Sequence, residues 1–332
     1  MPYGLSLRAI AHVLQLRRGV REGLAEIVRQ WPEHANLAAA ALTGGRRNRP
    51  MACMLACETV GGRWPDARPF GLAVELGHKA SVILDDVADE DTVRRGRPTF
   101  HAVHGIPVAI AVSDALWTAA LALVADRVTT SAGRLDQCLA LFVYGFHDMA
   151  MGQLHDVEVS RSVRHSVTSR LRVNGLKTGA LLVLALRVGA IVGGGTHREI
   201  EALSKFGQLI GTAFQVLNDV NNLLGREAHH GRSAGTDIEV RRHTPLLAYA
   251  IERAGPAGRL TELADSTSPL TPDQVREMRR ILISIDAPEY GEKLAREMLD
   301  EARQCLSVLR PTLARTILLA IASRRSFRSM VS

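Results

Sequence analysis

The sequence predicts an all-α protein, and two observations support that prediction. Of the 332 residues 46% are hydrophobic but only 4% are aromatic, so the apolar content is mainly Ala, Leu and Val. These residues form two long apolar runs, at 108–125 and 179–193. Runs of this length, apolar on nearly every side, are typical of helices inside a bundle.

The chain is long enough for two domains, but no Pro/Gly/Ser-rich linker or block of charge divides it. We therefore expect a single domain over residues 1–332. Neither apolar run predicts a transmembrane segment, because Asp114 lies in the first and Arg187 in the second. The N-terminus lacks the apolar core of a signal peptide, so we expect a cytoplasmic protein.

The charge distribution argues against a nucleic-acid partner. The net charge is +7 and the pI is about 9.7, values that also occur in proteins that bind nucleic acid or anionic membranes. The arginines, however, are spread along the chain, and no aromatic residues alternate with them to stack on bases. The four cysteines form no CxxC pair, which indicates buried free thiols.

The segment DDVADED, residues 85–91, has five carboxylates among seven residues and follows an apolar helical run. Asp85 and Asp89 are four residues apart and share a helix face, while Asp86 lies about 100° round the helix. Carboxylates crowded at a helix C-terminus repel one another and the helix dipole. Either a hard cation neutralises them, with Mg²⁺ favoured by all-oxygen ligands, or the segment is a solvated helix end.

An arginine cluster just after the acidic segment suggests that diphosphate binds there, and a second cluster lies upstream. The first, RRGRPT, begins at Arg94 and Arg95, and arginine forks match phosphate oxygens that Mg²⁺ bridges from the other side. The second, GGRRNRP, covers residues 44–50 and includes Arg46 and Arg49. Taken alone, the second cluster is equally consistent with a nucleic-acid patch, a solvated loop or a phosphate site.

Six motifs in order resemble those of the trans-isoprenyl diphosphate synthase, or polyprenyl synthetase, family. GGRRNRP resembles its GGKRxRP loop, and DDVADEDTVRRGRPT its first aspartate-rich motif with the arginine pair that follows. Gly152-Gln153 with Asp156 resembles GQxxD, and Lys177-Thr178 resembles the KT element. FQVLND, at residues 214–219, stands where FQxxDDxxD is expected, and the segment GRSAGTD at 231–237 resembles GKxxGxD.

The resemblance implies an isoprenoid-synthase-type antiparallel bundle around a deep central cavity, with two aspartate-rich motifs facing each other at its mouth. It also implies a homodimer, Mg²⁺ as cofactor, and condensation of isopentenyl diphosphate with an allylic diphosphate. The implied catalytic residues are Asp85, Asp86, Asp89, Arg94, Lys177 and Asp219. The implied metal ligands are Asp85, Asp86, Asp89, Asn218 and Asp219. The implied substrate-binding residues are Arg46, Arg49, His78, Arg94, Arg95, Lys177, Thr178, Gln215 and Arg232.

The second aspartate-rich motif departs from the family pattern. It reads Asn218-Asp219-Val220-Asn221-Asn222, so two carboxylates are replaced by amides. An amide oxygen can bind Mg²⁺ but adds no charge, which predicts weaker metal binding. The alternatives are therefore a working synthase with altered metal use, a non-catalytic partner subunit, or other chemistry such as terpene cyclisation or prenyl transfer to a non-isoprenoid acceptor.

Small residues precede the first motif on its helix, and the growing chain is expected to pass them. They are Gly77, Ala80 and Ser81, one and two turns before Asp85. The family resemblance implies that short-chain members usually place an aromatic residue at the position of Ala80. Trp117 on the neighbouring apolar helix could form a floor, or could simply pack in the core. These residues predict a medium-to-long product.

Two further features lie around the late loop. His229 and His230 are adjacent, but Gly, Arg and Ser surround them, which indicates a loop over the diphosphate rather than a metal site. Thr244 then precedes Pro245, and proline suits the first turn of a helix. We therefore expect a helix to begin there.

Overall fold

The computed structural model describes residues 5–94, 96–126, 132–159, 166–175, 179–225, 236–239, 243–255, 258–266 and 268–323. Within these ranges nearly all regular structure is helical, and the all-α prediction is confirmed. The contacts divide the chain into two compact units, which are described separately below. The prediction of one domain over the whole chain stays a prediction.

The first unit covers residues 1–147, 181–207 and 303–321. Its helices are α1 (Leu7–Arg29), a 3-10 turn (Pro32–His34), α2 (Ala35–Leu42), α3 (Asn48–Thr59), α4 (Trp64–Ala88), α5 (Phe100–His104), α6 (Ile106–Ala125), the first part of α7 (Ala132–Val159), most of α9 (Ala180–Val192), the first part of α10 (His197–Leu224), a second 3-10 turn (Leu306–Val308) and α16 (Leu313–Ile321). A short antiparallel hairpin, β1 (Val93–Arg94) and β2 (Arg97–Pro98), follows α4.

The core of the first unit is close-packed because small residues let helix backbones approach each other. A Cβ at Gly189 of α9 would lie 2.0 Å from the carbonyl oxygen of Cys53 on α3, so only glycine fits there. Cys53, Cys57 and Cys138 are buried free thiols, as predicted, and Cys305 is half-buried. Burial raises the pKa of the Cys57 thiol to about 12, so this thiol stays protonated.

Helix α6 holds the first apolar run. Among the described helices it is long and apolar enough to cross a membrane by length and composition, and 33% of its apolar window is buried. One such helix is weak evidence for a membrane span, since core helices pass the same test. Ile106 and Ile110 are about half exposed and leave part of α6 without cover from the described residues of this unit.

The second unit covers residues 148–180, 208–302 and 322–332. Besides the remainders of α7 and α10 it contains α8 (Val167–Asn174), α11 (Thr236–Glu239), α12 (Pro245–Ala254), α13 (Arg259–Asp265), α14 (Pro272–Ser284) and most of α15 (Ala287–Cys305). As predicted, α12 begins at Pro245, and the Thr244 hydroxyl caps it by accepting a hydrogen bond from the backbone N–H of Leu247.

One face of α10 supplies the core of the second unit. Val220 and Leu223 pack with Leu246 of α12 and Met278 of α14 in a single buried cluster. The apolar residues of α10 thus point into this core, and the motif residues between them are held in fixed orientations by the packing of the helix. The position of Asn218, Asp219 and Asn222 therefore depends on the same contacts that stabilise the unit.

Candidate active site

The first acidic motif lies where α4 ends. Glu90 is left-handed (φ 55°), and the backbone N–H of Asp91 donates to the carbonyl of Asp86 over 3.0 Å. The N–H of Glu90 donates to the carbonyl of Val87, which completes a Schellman-type helix end without glycine. This tight end turns the chain back, so that Asp91 lies beside the last turn of the helix.

The hairpin that follows brings Arg94 onto the acidic motif. Arg94 pairs with Arg97 across the hairpin, and Gly96 in the connection has a φ of 70°, which glycine adopts without strain. The Arg94 side chain donates to Asp86, and its guanidinium lies 3.5 Å from Asp85 and 3.8 Å from Asp91. The three carboxylates therefore surround one cation.

The carboxylates of the motif differ in their environments. Asp86 is 4% exposed, and this burial raises the pKa of its carboxyl, while the Arg94 guanidinium opposes that shift. Asp85 and Asp89 are half-buried and lie nearer to solvent. Asp85 and Asp89 are therefore more accessible than Asp86, and Arg94 contacts both Asp85 and Asp86.

These donors suit a magnesium ion. In the part of the chain that the structure describes, no three His, Cys, Asp or Glu side chains are gathered as a ready cage for a metal ion. Mg²⁺ does not require one, because it binds through one or two carboxylates and completes its shell with water and substrate phosphates. The arrangement of three carboxylates around Arg94 shows that this helix end already accommodates a positive charge.

The GGRRNRP loop connects α2 to α3 and is fastened to α4. Arg46 is exposed and Arg49 is half-buried, while Arg47 between them points inward and donates to Glu75 of α4. His78, one turn beyond Glu75 on α4, is half-buried. Arg46, Arg49 and His78 therefore belong to one unit, and Arg47 is a residue that sequence reasoning did not single out.

The second motif lies in the last two turns of α10 and is only weakly charged. Asp219 is 4% exposed, and its carboxylate accepts a hydrogen bond from Gln215 Nε2 at 2.9 Å. The Asn218 Oδ1 atom is buried and accepts no hydrogen bond from the described residues. A buried oxygen without a partner is costly, which makes Asn218 a suitable neutral ligand for a cation.

Asn222, the last residue of the second motif, has a structural contact that the sequence did not predict. Its Oδ1 atom accepts a hydrogen bond from the backbone N–H of Asp237, at 3.2 Å, where α11 begins. Asp219, Asn222 and Asp237 line one small cavity with Thr244. The amide that replaces a family aspartate therefore ties α11 to α10.

Comparison with known proteins supports what these motifs indicate. The family model described as polyprenyl synthetase matches residues 32–282. The chain belongs to the polyprenyl synthetase family. It is a prenyltransferase of the trans-isoprenyl diphosphate synthase type. The predicted family and the predicted enzyme class are therefore confirmed.

Two curated relatives and one solved structure show the extent of the similarity. A short chain isoprenyl diphosphate synthase of Methanothermobacter thermautotrophicus is 31% identical over 91% of this chain and 92% of its own. A geranylgeranyl diphosphate synthase of Methanosarcina mazei is 30% identical over 84% of each chain. The structure of a polyprenyl synthase of Caulobacter crescentus, complexed with calcium and isoprenyl diphosphate, has a TM-score of 0.84 at 25% identity, covering 97% of this chain and 98% of that one. The predicted isoprenoid-synthase-type fold is confirmed.

Within this polyprenyl synthetase, aromatic rings lie beside the small residues that precede the first motif. A Cβ at Gly77 would lie 2.6 Å from a ring carbon of Phe146 and 3.0 Å from one of Trp117. Trp117 and Phe146 meet edge to face at 4.4 Å, and Phe142 lies 5.6 Å beyond Phe146. Sequence reasoning found Gly77 and Trp117 but missed Phe146, whose helix is distant in the sequence.

Ala80 and Ser81 lie closer to the metal motif than these rings. Ala80 is buried, and its carbonyl accepts a hydrogen bond from Ser113 on α6. Ser81 is half-buried and donates to the carbonyl of His78 at 2.9 Å. Ala80 and Ser81 are thus small residues between Gly77 and the motif, and their role in setting product length stays a prediction.

Several predicted residues lie outside the described part of the chain. They are Arg95, Lys177, Thr178, Arg232, and the pair His229 and His230. The side chains of Gln153 and Asp156 are likewise outside it. Their roles stay predictions, as does the prediction that the two motifs face each other across a cavity.

Proposed function

We propose that this polyprenyl synthetase condenses isopentenyl diphosphate with an allylic diphosphate and releases a prenyl diphosphate of medium length. A single observation carries the proposal: helix α4 has ionic groups at one end and an aromatic wall about two turns earlier. Diphosphate chemistry requires the first feature, and a growing hydrocarbon chain requires the second. Both features belong to the first unit.

The metal that best fits the first motif is Mg²⁺, with Asp85 and Asp89 as its ligands. Asn218 and Asp219 are the proposed metal ligands of the second motif. Family members use a divalent metal, and the Caulobacter relative has been solved with calcium. Bound there, Mg²⁺ stabilises negative charge on diphosphate oxygens. Asp86 keeps Arg94 close to these oxygens, because the buried carboxylate holds the guanidinium by a direct hydrogen bond.

The remaining residues position the substrates and keep water out. Arg94 stabilises the leaving diphosphate as the allylic C–O bond breaks, a role that the family resemblance also assigns to Lys177 and Arg232. Arg46, Arg49, His78 and the predicted Arg95 hold isopentenyl diphosphate so that its double bond meets the allylic carbon. Holding both substrates in place turns a bimolecular encounter into a local one. Breaking the C–O bond leaves an allylic cation, and excluding water prevents water from converting it to an alcohol.

Product length is set, in this proposal, by the rings of Trp117 and Phe146. The chain grows past Ser81 and Ala80 and stops at Gly77, about 12 Å of helix from Asp85. This position favours the medium lengths made by relatives such as the geranylgeranyl synthase of Methanosarcina mazei. The position of the rings therefore narrows the product length from the medium-to-long range, which the small residues alone predicted, to medium.

The chain-length proposal has its own test. We expect Phe146→Ala to shift the main product upward by at least one isoprene unit, because the removed ring opens space beside Gly77. Ala80→Phe should shorten it, since the new ring would block the path one turn earlier. Val143→Ala on the exposed side of α7 is the matched control. Unchanged products in both ring variants would contradict the proposed floor.

We also propose a cytoplasmic homodimer. The half-exposed Ile106 and Ile110 of α6 offer apolar surface in the first unit that a second copy could cover. Light scattering on the purified protein should give twice the chain mass of 36.1 kDa. A monomer mass, or recovery only in membrane fractions, would overturn this part of the proposal.

The proposed activity is tested by incubating the purified protein with Mg²⁺, isopentenyl diphosphate and, in turn, dimethylallyl, geranyl, farnesyl and geranylgeranyl diphosphates. Mass spectrometry of the products should show elongation that ends at a medium chain. Hydrocarbon or alcohol products would indicate cyclisation or water capture instead. No turnover without an added second chain would indicate a partner subunit. Either result would overturn the proposed activity.

A further inference from the structure

The loop that carries Arg46 and Arg49 has an unusual backbone held by two cations. Residues 43–47 form no regular structure, and Gly44 and Gly45 have φ values of 68° and 96°. Arg47 is also left-handed, with φ 56° and ψ 31°, a conformation that disfavours a residue with a Cβ. A conformation of this kind persists only when surrounding contacts hold it.

Arg47 provides the first of these contacts. Its guanidinium donates at once to the Glu75 carboxylate and to the carbonyl of Leu42, the last residue of α2. Glu75 lies in the middle of α4 and is 2% exposed, and the Arg47 side chain is 13% exposed. A charge buried so deeply requires a partner, so Arg47 serves the protein interior and not the solvent.

Lys79 provides the second contact, one helical turn beyond Glu75. Its Nζ donates to the carbonyls of Thr43 and Gly44 over 2.6 and 3.2 Å. The backbone at Gly45 lies beside all three side chains, since a Cβ there would lie 3.8 Å from each of Arg47 Nη1, Glu75 Oε1 and Lys79 Nζ. Two residues of α4 therefore fasten both ends of the loop.

We propose that Arg47, Glu75 and Lys79 are positioning residues for isopentenyl diphosphate. This inference rests on the proposed function, in which Arg46 and Arg49 hold that substrate. The three residues make contacts with one another and with the backbone of residues 42–44. They fix the loop to the same helix that carries Asp85, and so set the distance between the isopentenyl diphosphate arginines and the metal motif.

The test compares Michaelis constants for the two substrates in Glu75→Gln and Lys79→Met. We expect KM for isopentenyl diphosphate to rise about tenfold, KM for the allylic primer to change less than about twofold, and kcat to fall by less than about threefold. Arg47→Lys should resemble Glu75→Gln, because lysine keeps the charge but lacks the fork that reaches two acceptors.

Two controls separate positioning from stability. Glu58→Gln breaks a partly buried contact of 2.7 Å with His12 elsewhere in the same unit and should leave both KM values unchanged. The double variant Arg47→Met/Glu75→Met replaces the buried pair by apolar side chains, so the fold is retained while the fastening is lost. Its melting temperature should match the wild type while KM for isopentenyl diphosphate stays raised.

The outcomes distinguish this inference from the proposed function. If the wild-type protein elongates no primer, the proposed function fails. If it does, and the double variant folds with a normal KM for isopentenyl diphosphate, Arg47 and Glu75 only stabilise the protein and the inference is wrong. Equal rises in KM for both substrates would also overturn it.

Discussion

The two acidic motifs occupy similar positions on long helices but differ in charge. The first, at the end of α4, has Asp85, Asp86 and Asp89 with Arg94 among them. The second, in the last turns of α10, retains only Asp219 between Asn218 and Asn222. Both lie at the helix end where the dipole is negative, so each carboxylate there raises the electrostatic cost of folding without a cation.

This difference indicates a division of work between the motifs. In the first motif, Arg94 offsets the negative charge of Asp85, Asp86 and Asp91. In the second motif, two amides stand where the family has carboxylates, which avoids repulsion between like charges, and Asn222 gains a structural hydrogen bond to α11. We infer that most metal affinity resides in the first motif.

The largest expected effect comes from Asp85→Asn. Loss of a charged ligand in the motif that carries most of the affinity should lower kcat about a thousandfold or more, since transition-state charge is no longer stabilised. Steady-state rates at saturating Mg²⁺ measure this. The isosteric Asp114→Asn on the exposed face of α6 is the control and should be neutral.

A smaller fall in kcat is expected for Asp219→Asn. Its carboxylate is the only charge left in the second motif, and it orients Gln215 at 2.9 Å, so kcat should fall about 10- to 100-fold. The same assay measures it. A loss as large as that of Asp85→Asn would break the proposed division of work.

Asn218→Asp tests the same difference between the motifs by adding a carboxylate to the second one. Restoring the family carboxylate should lower the Mg²⁺ concentration for half-maximal rate about three- to tenfold, because a charged ligand replaces a neutral one. The variant should remain active. If activity disappeared, the amide would be an adaptation to a different metal arrangement, contrary to our account.

The smallest expected effect is that of Asn222→Ala. It removes the acceptor of the Asp237 N–H and should lower the free energy of unfolding by about 1 kcal/mol, measured by urea denaturation. Activity at saturating Mg²⁺ should change less than about threefold. Asn221→Ala, on a neighbouring position of the same helix, is the matched control. Should its destabilisation equal that of Asn222→Ala, the α10–α11 contact would have no special role.

Much of this site could be predicted from the sequence because its chemistry is local. The acidic run at 85–91, the arginines after it and the substituted second motif are contiguous stretches whose residue types specify hard-cation and phosphate binding. The apolar runs likewise predicted the helices. These stretches do not predict which carboxylate is buried. Asp86 is buried and binds Arg94 because the Schellman-type helix end and the hairpin both turn the chain back towards α4.

The residues that sequence reasoning missed act across long separations. Arg47 was not singled out among the arginines of its loop, yet it donates inward to Glu75, 28 residues later. The one signal in the sequence was Glu75, a lone glutamate in an apolar stretch of α4, because a buried carboxylate needs a partner. Phe146 and the contact of Asn222 with Asp237 were missed for the same reason, since tertiary packing alone brings Phe146 to Gly77 and Asp237 to Asn222.

Calorimetric titration of Mg²⁺ into the wild-type protein, Asp85→Asn and Asp219→Asn, each with inorganic diphosphate present, tests the division of work most directly. We predict that Asp85→Asn loses detectable Mg²⁺ binding, while Asp219→Asn retains it with an affinity reduced less than about tenfold. Equal losses in the two variants, or a loss confined to Asp219→Asn, would contradict the claim that the first motif carries most of the metal affinity.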